Sequence, residues 1–434
     1  MEFTLKIQYK HFLFSFLLLI SCISITGCSL FGGDTKTTTK KPTPTSTPII
    51  VNITPGTTLG SGTPIVDPEL DTMVKQTLDG INQYGYGSVN KYGTGIYINW
   101  YRDNPTAQQN KGHDGQNDIL TYENMVWYQA RHPGDTSMQA NIARLQPIVY
   151  AEWATTANSK GSTDPKGWVY FLFQRLAQYD DKTIWNNTMK HWATYIAKGI
   201  DPAANVSHAK VVTSTADNSP SCPDGYRVDQ NLENGLALID AGTRFNQQSW
   251  VQLGTQEVNT VIKQAYVTKY HMFSRIVCQG QISDWEAKGG EIGQETDALL
   301  KVGYYTHNDT YLNLAKEILD AVSNPTVGLR DTQNDGIYFK FMLDTGTVDK
   351  SRKEMRQLHI LQSVHEANAL FNNRYADFEK SLIKVAKSSF FPTPVAGWMY
   401  EVTNDYQLYR GGKENWISTE ASAIAMEAVQ TLLA

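Results

Sequence analysis

The sequence predicts an all-α fold in which about twelve helices stack as hairpins around a ring, preceded by a disordered tether. Short turns and long loops alternate between the successive helical segments of residues 67–434. Strand-like alternation is local, over residues 337–341 after an Asn-Asp-Gly turn. Apolar residues recur with helical spacing, as in Tyr311, Leu314, Ala315, Ile318, Leu319 and Val322.

The apolar spacing predicts each helix in turn. The predicted helices cover residues 68–84, 117–131, 136–157, 165–179, 182–198, 226–246, 248–275, 291–306, 309–323, 352–371, 373–388 and 416–433. Short turns such as 178–181 and 306–309 join each even-numbered helix to the next, whereas long loops join odd helices to even ones. Short turns make antiparallel hairpins, and hairpins with all their long loops at one end can close into a ring.

The first residues are not expected to belong to the ring. An apolar run too short to span a bilayer ends in Ile25-Thr26-Gly27-Cys28. This segment resembles the lipobox of bacterial lipoproteins, and the resemblance implies cleavage after residue 27 and a lipid on Cys28. A secretory signal cut elsewhere is the alternative. We therefore expect a signal peptide over 1–27 and a protein that is anchored to a membrane, outside the cytoplasm.

Residues 28–66 predict a tether between this anchor and the ring at 67–434. The stretch is dominated by Thr, Pro, Ser and Gly, and it has too few large apolar side chains to offset the entropy of ordering the chain. The rest of the sequence has the composition of a folded protein, because the 434 residues include 10 Trp and 23 Tyr. A net charge of −5 without basic clusters excludes a nucleic-acid partner.

The cysteines predict a disulfide. Cys22 lies in the signal peptide and Cys28 carries the lipid, which leaves Cys222 and Cys278. Both would lie on long loops at the same end of the ring, before the sixth and the eighth helix, and export permits oxidation. Two free thiols are the alternative.

Acidic residues collect where the even-numbered helices begin, at the end of the ring that carries the long loops. Helix N-termini also favour acidic side chains as caps, so single members of the set can have a purely structural role. The set consists of Asp114, Asp118, Glu123, Asp164, Asp229, Glu233, Glu291, Glu295, Asp297, Glu414 and Glu420.

Two segments resemble a known superfamily. Thr306-x-Asn308-Asp309 followed by Tyr-Leu-x-Leu-Ala-x-x-Ile-Leu resembles the hairpin of the six-hairpin glycosidases, and residues 416–425 resemble the inner helix of that superfamily, which is rich in small residues. The resemblance covers about 67–434 and implies an (α/α)6 barrel with long loops at one end. Members include glycoside hydrolases, polysaccharide lyases and sugar epimerases, so the fold does not choose the reaction.

The resemblance implies a glycoside hydrolase acting on a polysaccharide or oligosaccharide, as a monomer and without a cofactor. Glycoside cleavage needs one protonated and one ionised carboxyl group. Asp229 and Glu295 are the best candidates and Asp118 and Glu420 the next, because each lies near the first turn of a different proposed inner helix.

Aromatic side chains near the same end of the ring are expected to stack on sugar rings. Packing beneath the long loops is the alternative for each of them. The candidates are Trp100, Trp168, Trp285, Trp398, Trp416 and Tyr226.

Two other functions remain open. A polysaccharide lyase on the same fold would use cationic groups such as Arg227, Arg352, Arg356 and Arg410. A non-catalytic glycan-binding lipoprotein would keep the tryptophans and would not need the carboxylates.

Three further motifs predict no additional site. Asp180-Asp181 invites comparison with family 76 glycoside hydrolases, which use neighbouring aspartates, but here the pair lies in a short turn and Asp181 is expected to cap the fifth helix. Residues 331–336 begin like a calcium loop, yet Met342 stands where a bidentate Glu is needed. His359 and His365 lack the spacing of a zinc pair. We expect no metal.

Overall fold

The computed structural model describes residues 63–96, 99–101, 115–154, 166–208, 211–212, 221–222, 224–392, 395–409 and 416–434. Twelve α-helices in these residues confirm the predicted all-α fold. None of the helices in these ranges is both long and apolar enough to cross a membrane. The helices are α1 (Pro68–Gly80), α2 (Gly115–Arg131), α3 (Gln139–Val149), α4 (Gly167–Tyr179), α5 (Lys182–Gly199), α6 (Val228–Arg244), α7 (Gln248–Ala265), α8 (Gly289–Thr306), α9 (Asp309–Ser323), α10 (Leu358–Leu370), α11 (Ala376–Ser388) and α12 (Thr419–Leu433).

The even-numbered helices form a closed inner ring. Each contacts the next even-numbered helix, and α12 contacts α2, so the circle closes. The odd-numbered helices pack outside, each against an inner helix. Burial agrees with this arrangement. The inner helix α12 is buried on nearly every side, whereas the outer helix α9 buries one face that includes Tyr311, Ile318 and Val322. The arrangement is an (α/α)6 barrel.

Helices α7 and α10 are two of those that are shorter than their predicted ranges. Helix α7 ends at Ala265 rather than at 275, because the chain turns at His271, whose φ is 53°, and residues 266–273 form a two-stranded hairpin. Helix α10 begins at Leu358 rather than at 352, because Lys353 and Glu354 pair as a strand with residues 401–402. Apolar spacing alone does not distinguish these short strands from helix ends.

Short strands occupy the long loops. They order the loops above the N-termini of the inner helices; for example, β8, β11 and β12 form one three-stranded sheet and β13, β14 and β15 another. The strands are β1 (Tyr86–Asn90), β2 (Gly93–Ile96), β3 (Asn99–Tyr101), β4 (Ile200–Asp201), β5 (Val206–Ser207), β6 (Val211–Val212), β7 (Ser221–Cys222), β8 (Gly225–Arg227), β9 (Tyr266–Val267), β10 (Met272–Phe273), β11 (Ile276–Cys278), β12 (Gln281–Asp284), β13 (Glu286–Lys288), β14 (Lys340–Met342), β15 (Thr347–Asp349), β16 (Lys353–Glu354), β17 (Phe390–Phe391), β18 (Gly397–Trp398), β19 (Glu401–Val402) and β20 (Trp416–Ser418).

Cys222 and Cys278 form a disulfide in the structure, with their Cα atoms 6.1 Å apart. Cys278 ends β11, which pairs with β8 directly before α6. The bond therefore ties the segment leading into α6 to the loop that precedes α8.

We predict that removing this disulfide destabilises the fold. The bond closes a loop with a sequence separation of 56, and the chain-entropy model gives about 4 kcal/mol for such a loop. The double variant Cys222→Ser/Cys278→Ser should lower the free energy of unfolding by roughly this amount, measured by denaturant titration. Alkylation of the denatured, unreduced mature protein should find neither thiol free; two alkylatable thiols would contradict the pairing.

Candidate active site

A pocket of about 240 Å³ lies on the barrel axis, at the N-terminal ends of the inner helices. All six inner helices line it. Each helix contributes at least one lining residue. In chain order from α2 to α12, examples are Gln116, Trp168, Asp229, Gln294, His359 and Glu420.

Asp229 and Glu233 lie one turn apart on α6 and both line the pocket. Asp229 is held by Arg227, whose Nε donates to Oδ1 at 3.0 Å. Burial on its own raises the pKa of Asp229, but the charge and hydrogen bonds of Arg227 outweigh burial and lower that pKa below its usual range. Asp229 is therefore ionised at neutral pH.

Glu233 has a pKa that is shifted in the opposite direction. It is 8% exposed, and burial, together with the negative charges of Asp229 and Asp297, raises its pKa well above the usual range. Gln294 Nε2 donates to Glu233 Oε1 at 3.1 Å, while Oε2 has no hydrogen-bond partner in the described part of the chain. A carboxyl group with a raised pKa thus lies one turn from one with a lowered pKa, and acid–base chemistry on a glycoside uses such a combination.

Glu295, on α8, lies behind this pair. It is 2% exposed and is not among the residues that line the pocket. Burial and the nearby charges of Asp229 and Glu291 raise the pKa of Glu295 well above its usual range. Its neighbour Glu291 accepts from Arg227 Nη2 at 3.1 Å and from Arg275 Nε at 2.9 Å.

The close packing of α4 on α6 fixes the position of Glu233. Gly167 begins α4, and a Cβ atom at this residue would lie 2.2 Å from the backbone carbonyl carbon and oxygen of Glu233. Only glycine allows this approach.

We predict that Gly167→Ala pushes α4 away from α6. Such overpacking typically costs about 1–3 kcal/mol, so the free energy of unfolding should fall by that amount and any activity that depends on Glu233 should fall with it. Gly134→Ala is the control, because a Cβ atom at Gly134 meets nothing within 4 Å. Equal stability of the two variants would contradict the packing argument.

Charged pairs from several helices form the deepest part of the pocket. Arg175, on α4, donates to Glu427 Oε1 at 2.5 Å and also forms an ion pair with Glu123. Burial and the charge of Glu427, opposed by Arg175, raise the pKa of Glu123 to about 7.

Two further cations of the pocket wall are also paired with carboxylates. Lys301, on α8, lies 2.8 Å from Asp297 and 3.4 Å from Glu366. Nearer the mouth, Arg356 forms an ion pair with Glu354 and lies 4.0 Å from Glu420 Oε1.

His359 lines the pocket from α10. Burial lowers its pKa to about 4, so the imidazole is neutral at neutral pH. No side-chain hydrogen bond to its ring is found within the described ranges, which leaves both ring nitrogens available to a ligand.

The predicted catalytic residues separate in the structure. Asp229 and Glu420 line the pocket, and Glu295 lies behind it. Asp118 is fully buried on α2 and accepts a hydrogen bond from the backbone N–H of Ile96 at 2.6 Å, so it holds β2 against the helix. Cys28, Asp114, Asp164 and Glu414 fall outside the described residues.

The structure places two of the six aromatic residues in the core rather than on the pocket wall. Trp398 is fully buried and its indole N–H donates to the Ala386 carbonyl at 3.0 Å. Tyr226 is 2% exposed and donates to Gln264 Oε1 at 2.8 Å. Neither ring has a free face for a sugar.

Of the other four, Trp168 lines the pocket. Trp285 is partly buried against the core and does not belong to the pocket wall. Trp100 and Trp416 lie on the paired strands β3 and β20; their side chains are outside the described part of the structure.

The remaining motifs have structural roles. Asp181 caps α5 by accepting from the backbone N–H of Thr183 and of Ile184, which confirms that interpretation. Asp331, which would be the first ligand of a calcium loop, instead forms an ion pair with the buried Lys353 at 2.9 Å. Within the residues described, no group of three or more His, Cys, Asp or Glu side chains could hold a metal ion.

Comparison with known proteins identifies the fold. No family model matches the chain, and no curated protein matches it either. Among solved structures, an unsaturated glucuronyl hydrolase specific for heparin has a TM-score of 0.63 at 11% identity, covering 85% of this chain and 97% of that one. Cellobiose 2-epimerase from Bacillus thermoamylovorans has a TM-score of 0.63 at 9% identity, covering 83% and 98%.

A family 76 glycoside hydrolase from a bovine Bacteroides thetaiotaomicron strain is also similar, with a TM-score of 0.59 at 13% identity, covering 84% of this chain and 77% of that one. D-mannose isomerase has a TM-score of 0.61 at 12% identity, covering 85% and 99%. All of these neighbours belong to the six-hairpin glycosidase superfamily, so the resemblance seen in the sequence is confirmed at the level of the fold.

Proposed function

We propose that the protein is a glycoside hydrolase that acts on an extracellular polysaccharide or oligosaccharide. The observation that carries the proposal is the pair of carboxyl groups on α6. Glu233 is kept neutral by burial, Asp229 is kept ionised by Arg227, and both line the same pocket. The similarity of fold to several glycosidases supports this reaction, but the same fold also carries other reactions.

In the proposed mechanism, Glu233 is the general acid. It donates its proton to the glycosidic oxygen as the bond to the leaving sugar breaks. Asp229 stabilises the positive charge that develops at the anomeric carbon. A water molecule completes the hydrolysis: its oxygen forms the new bond to that carbon, and it gives up a proton to a carboxylate of the pair. Arg227 positions Asp229 through two hydrogen bonds from its guanidinium group. Trp168 offers an aromatic surface in the same pocket for the apolar face of a sugar.

Product analysis on a panel of neutral and uronic polysaccharides tests the proposal. A hydrolase produces new reducing ends without an absorbance rise from unsaturated sugars. Unsaturated ends would identify a lyase. Retention on the polysaccharide without products would identify a glycan-binding protein. Either of the last two results would contradict the proposed reaction.

A sugar isomerase or epimerase is the second candidate, and His359 is the observation that favours it. A neutral imidazole in a sugar-sized pocket can take a proton from the carbon next to a carbonyl group. Two of the structural neighbours are named as a mannose isomerase and a cellobiose 2-epimerase. Incorporation of deuterium from D₂O into a reducing sugar, without new reducing ends, would support this candidate over the hydrolase.

We also propose that a lipid on Cys28 anchors the enzyme to the membrane, with the Thr/Pro-rich segment 28–66 as the spacer. The replacement Cys28→Ala should release the protein from the membrane fraction or leave an uncleaved precursor, measured by fractionation and by the mass of the product. Unchanged lipid labelling of this variant would contradict the anchor.

A further inference from the structure

We infer that the pocket takes one neutral sugar residue at the end of a glycan chain, so that the enzyme acts from a chain end and rejects a uronate there. This inference rests on the proposed function and adds the class of substrate and the mode of attack. Two features of the pocket support it. The pocket is deep and has buried side chains at its lower end, and its cations are paired with carboxyl groups of the protein.

Among the described residues, the pocket extends down the barrel axis from the N-terminal ends of the inner helices. On α4 its lining residues run from Trp168 to Arg175, and on α12 from Glu420 to Glu427. At a rise of about 1.5 Å per residue, these spans correspond to a depth of roughly 10 Å. Asp229 and Glu233 lie in the upper part of this depth, because they belong to the first two turns of α6.

Buried polar side chains lie at and below the lower end of the pocket. The ion pairs of Arg175 and of Lys301 lie at its deepest level. Next to them, Gln430 Nε2 donates to Asn124 Oδ1 at 2.8 Å and joins α12 to α2. A glycan that enters from the loop end therefore cannot pass through the barrel, and its terminal residue has to stop in the pocket.

The volume of the pocket agrees with a single sugar residue. It measures about 240 Å³, whereas pockets for drug-sized ligands typically have about 300–1,000 Å³. This space suits one sugar ring better than a chain of several rings.

The cations of the pocket wall are already neutralised by the protein. Arg175, Arg227, Lys301 and Arg356 each lie near two carboxyl groups. A substrate carboxylate would have to displace one of these carboxyl partners before it could pair with a cation of the pocket wall. Lys166 has no carboxylate contact among the described residues, but it precedes α4 and lies at the mouth of the pocket. The deep part of the pocket thus selects an uncharged sugar, although one structural neighbour is named for glucuronyl hydrolysis.

Binding to the inactive variant Glu233→Gln tests the charge argument. Glucose, mannose and galactose are compared with glucuronate, mannuronate and galacturonate, respectively, by calorimetry at the same ionic strength. We expect at least one neutral sugar to bind about tenfold more tightly than its uronate. A uronate that binds as tightly as its parent sugar, or no binding by any of the three neutral sugars, would overturn the inference.

A second substitution in this variant tests the role of the ion pairs. Adding Glu427→Gln leaves Arg175 with Glu123 as its single carboxyl partner. The ratio of the affinity for the neutral sugar to that for its uronate should therefore fall. Adding Glu257→Gln, on the outer helix α7 and away from the pocket, should leave the preference unchanged. An unchanged preference in the first case would contradict the role assigned to the pairs.

A time course on a neutral oligosaccharide that the wild-type protein cleaves tests the mode of attack. We expect single sugars from the first time points, with the remaining chain shorter by one residue. Products from the middle of the chain would overturn the inference and still support a hydrolase. Failure to release new reducing ends from any glycan would contradict the proposed function itself.

Discussion

Replacing Glu233 with Gln is expected to lower kcat by about 10²–10⁴-fold, the usual contribution of general acid–base catalysis. Gln has nearly the same shape and can keep the contact with Gln294, but it has no acidic proton to give to the leaving oxygen. Substrate binding should change much less than kcat, because the carboxyl group is neutral before the reaction. Initial rates of reducing-end release, with the melting temperature measured in parallel, check this prediction.

Glu257→Gln is the matched control. Glu257 is also fully buried, and burial likewise raises its pKa, but it lies on α7 and does not line the pocket. The control should keep wild-type kcat. Wild-type activity in Glu233→Gln, or an equal loss in both variants, would remove Glu233 from its proposed role.

Replacing Asp229 with Asn should also lower kcat by orders of magnitude, because the ionised carboxylate next to the reacting carbon is lost. This variant should in addition change the pH dependence. The negative charge of Asp229 helps to raise the pKa of Glu233, so its removal lowers that pKa. In the wild type, activity falls as the pH rises through the pKa of Glu233, because the acid loses its proton. In the variant, the residual activity should fall at a lower pH.

Asp240→Asn controls for the loss of an arginine-paired carboxylate on the same helix. Asp240 accepts from Arg244 Nε at 3.2 Å and lies outside the pocket wall. Its replacement should leave the pH profile of kcat/KM unchanged. A profile of Asp229→Asn that coincides with the wild type, or that moves to higher pH, would contradict the coupling between Asp229 and Glu233.

The architecture of the barrel could be predicted because it depends on local patterns. Apolar spacing locates the helices, and the alternation of short turns with long loops determines which helices form the inner ring. The ends of α7 and α10 could not be predicted in the same way. Lys353 and Glu354 form a strand only because residues 401–402, distant in sequence, pair with them.

The candidate site was predictable only in part, since spacing along a helix does not show which groups meet across the barrel. Asp229 was found because acidic residues at the starts of inner helices point to the loop end. Glu233 was one member of a long list, and its spacing of one turn from Asp229 was the signal that could have selected it. Arg175 and Lys301 were missed; each is the single cation of its inner helix, and only the helix of Arg175 is otherwise largely apolar.

The aromatic residues show the same limit. Trp398 and Tyr226 are close in sequence to the loop end, but both rings turn into the core, where Ala386 and Gln264 accept their hydrogen bonds. Aromatic side chains pack beneath loops as readily as they line sugar sites, and the sequence does not show whether a given ring points into the core or into the pocket.

The most direct test of the proposed site is a crystal structure of Glu233→Gln with a neutral oligosaccharide bound. We expect a terminal sugar ring in the axial pocket, with its glycosidic oxygen about 2.6–3.2 Å from the side chain of residue 233, the reach of a proton donor. Asp229 should lie beside the anomeric carbon. A glycan bound with its scissile bond away from the start of α6, or lying across the mouth with the axial pocket empty of sugar, would contradict the account.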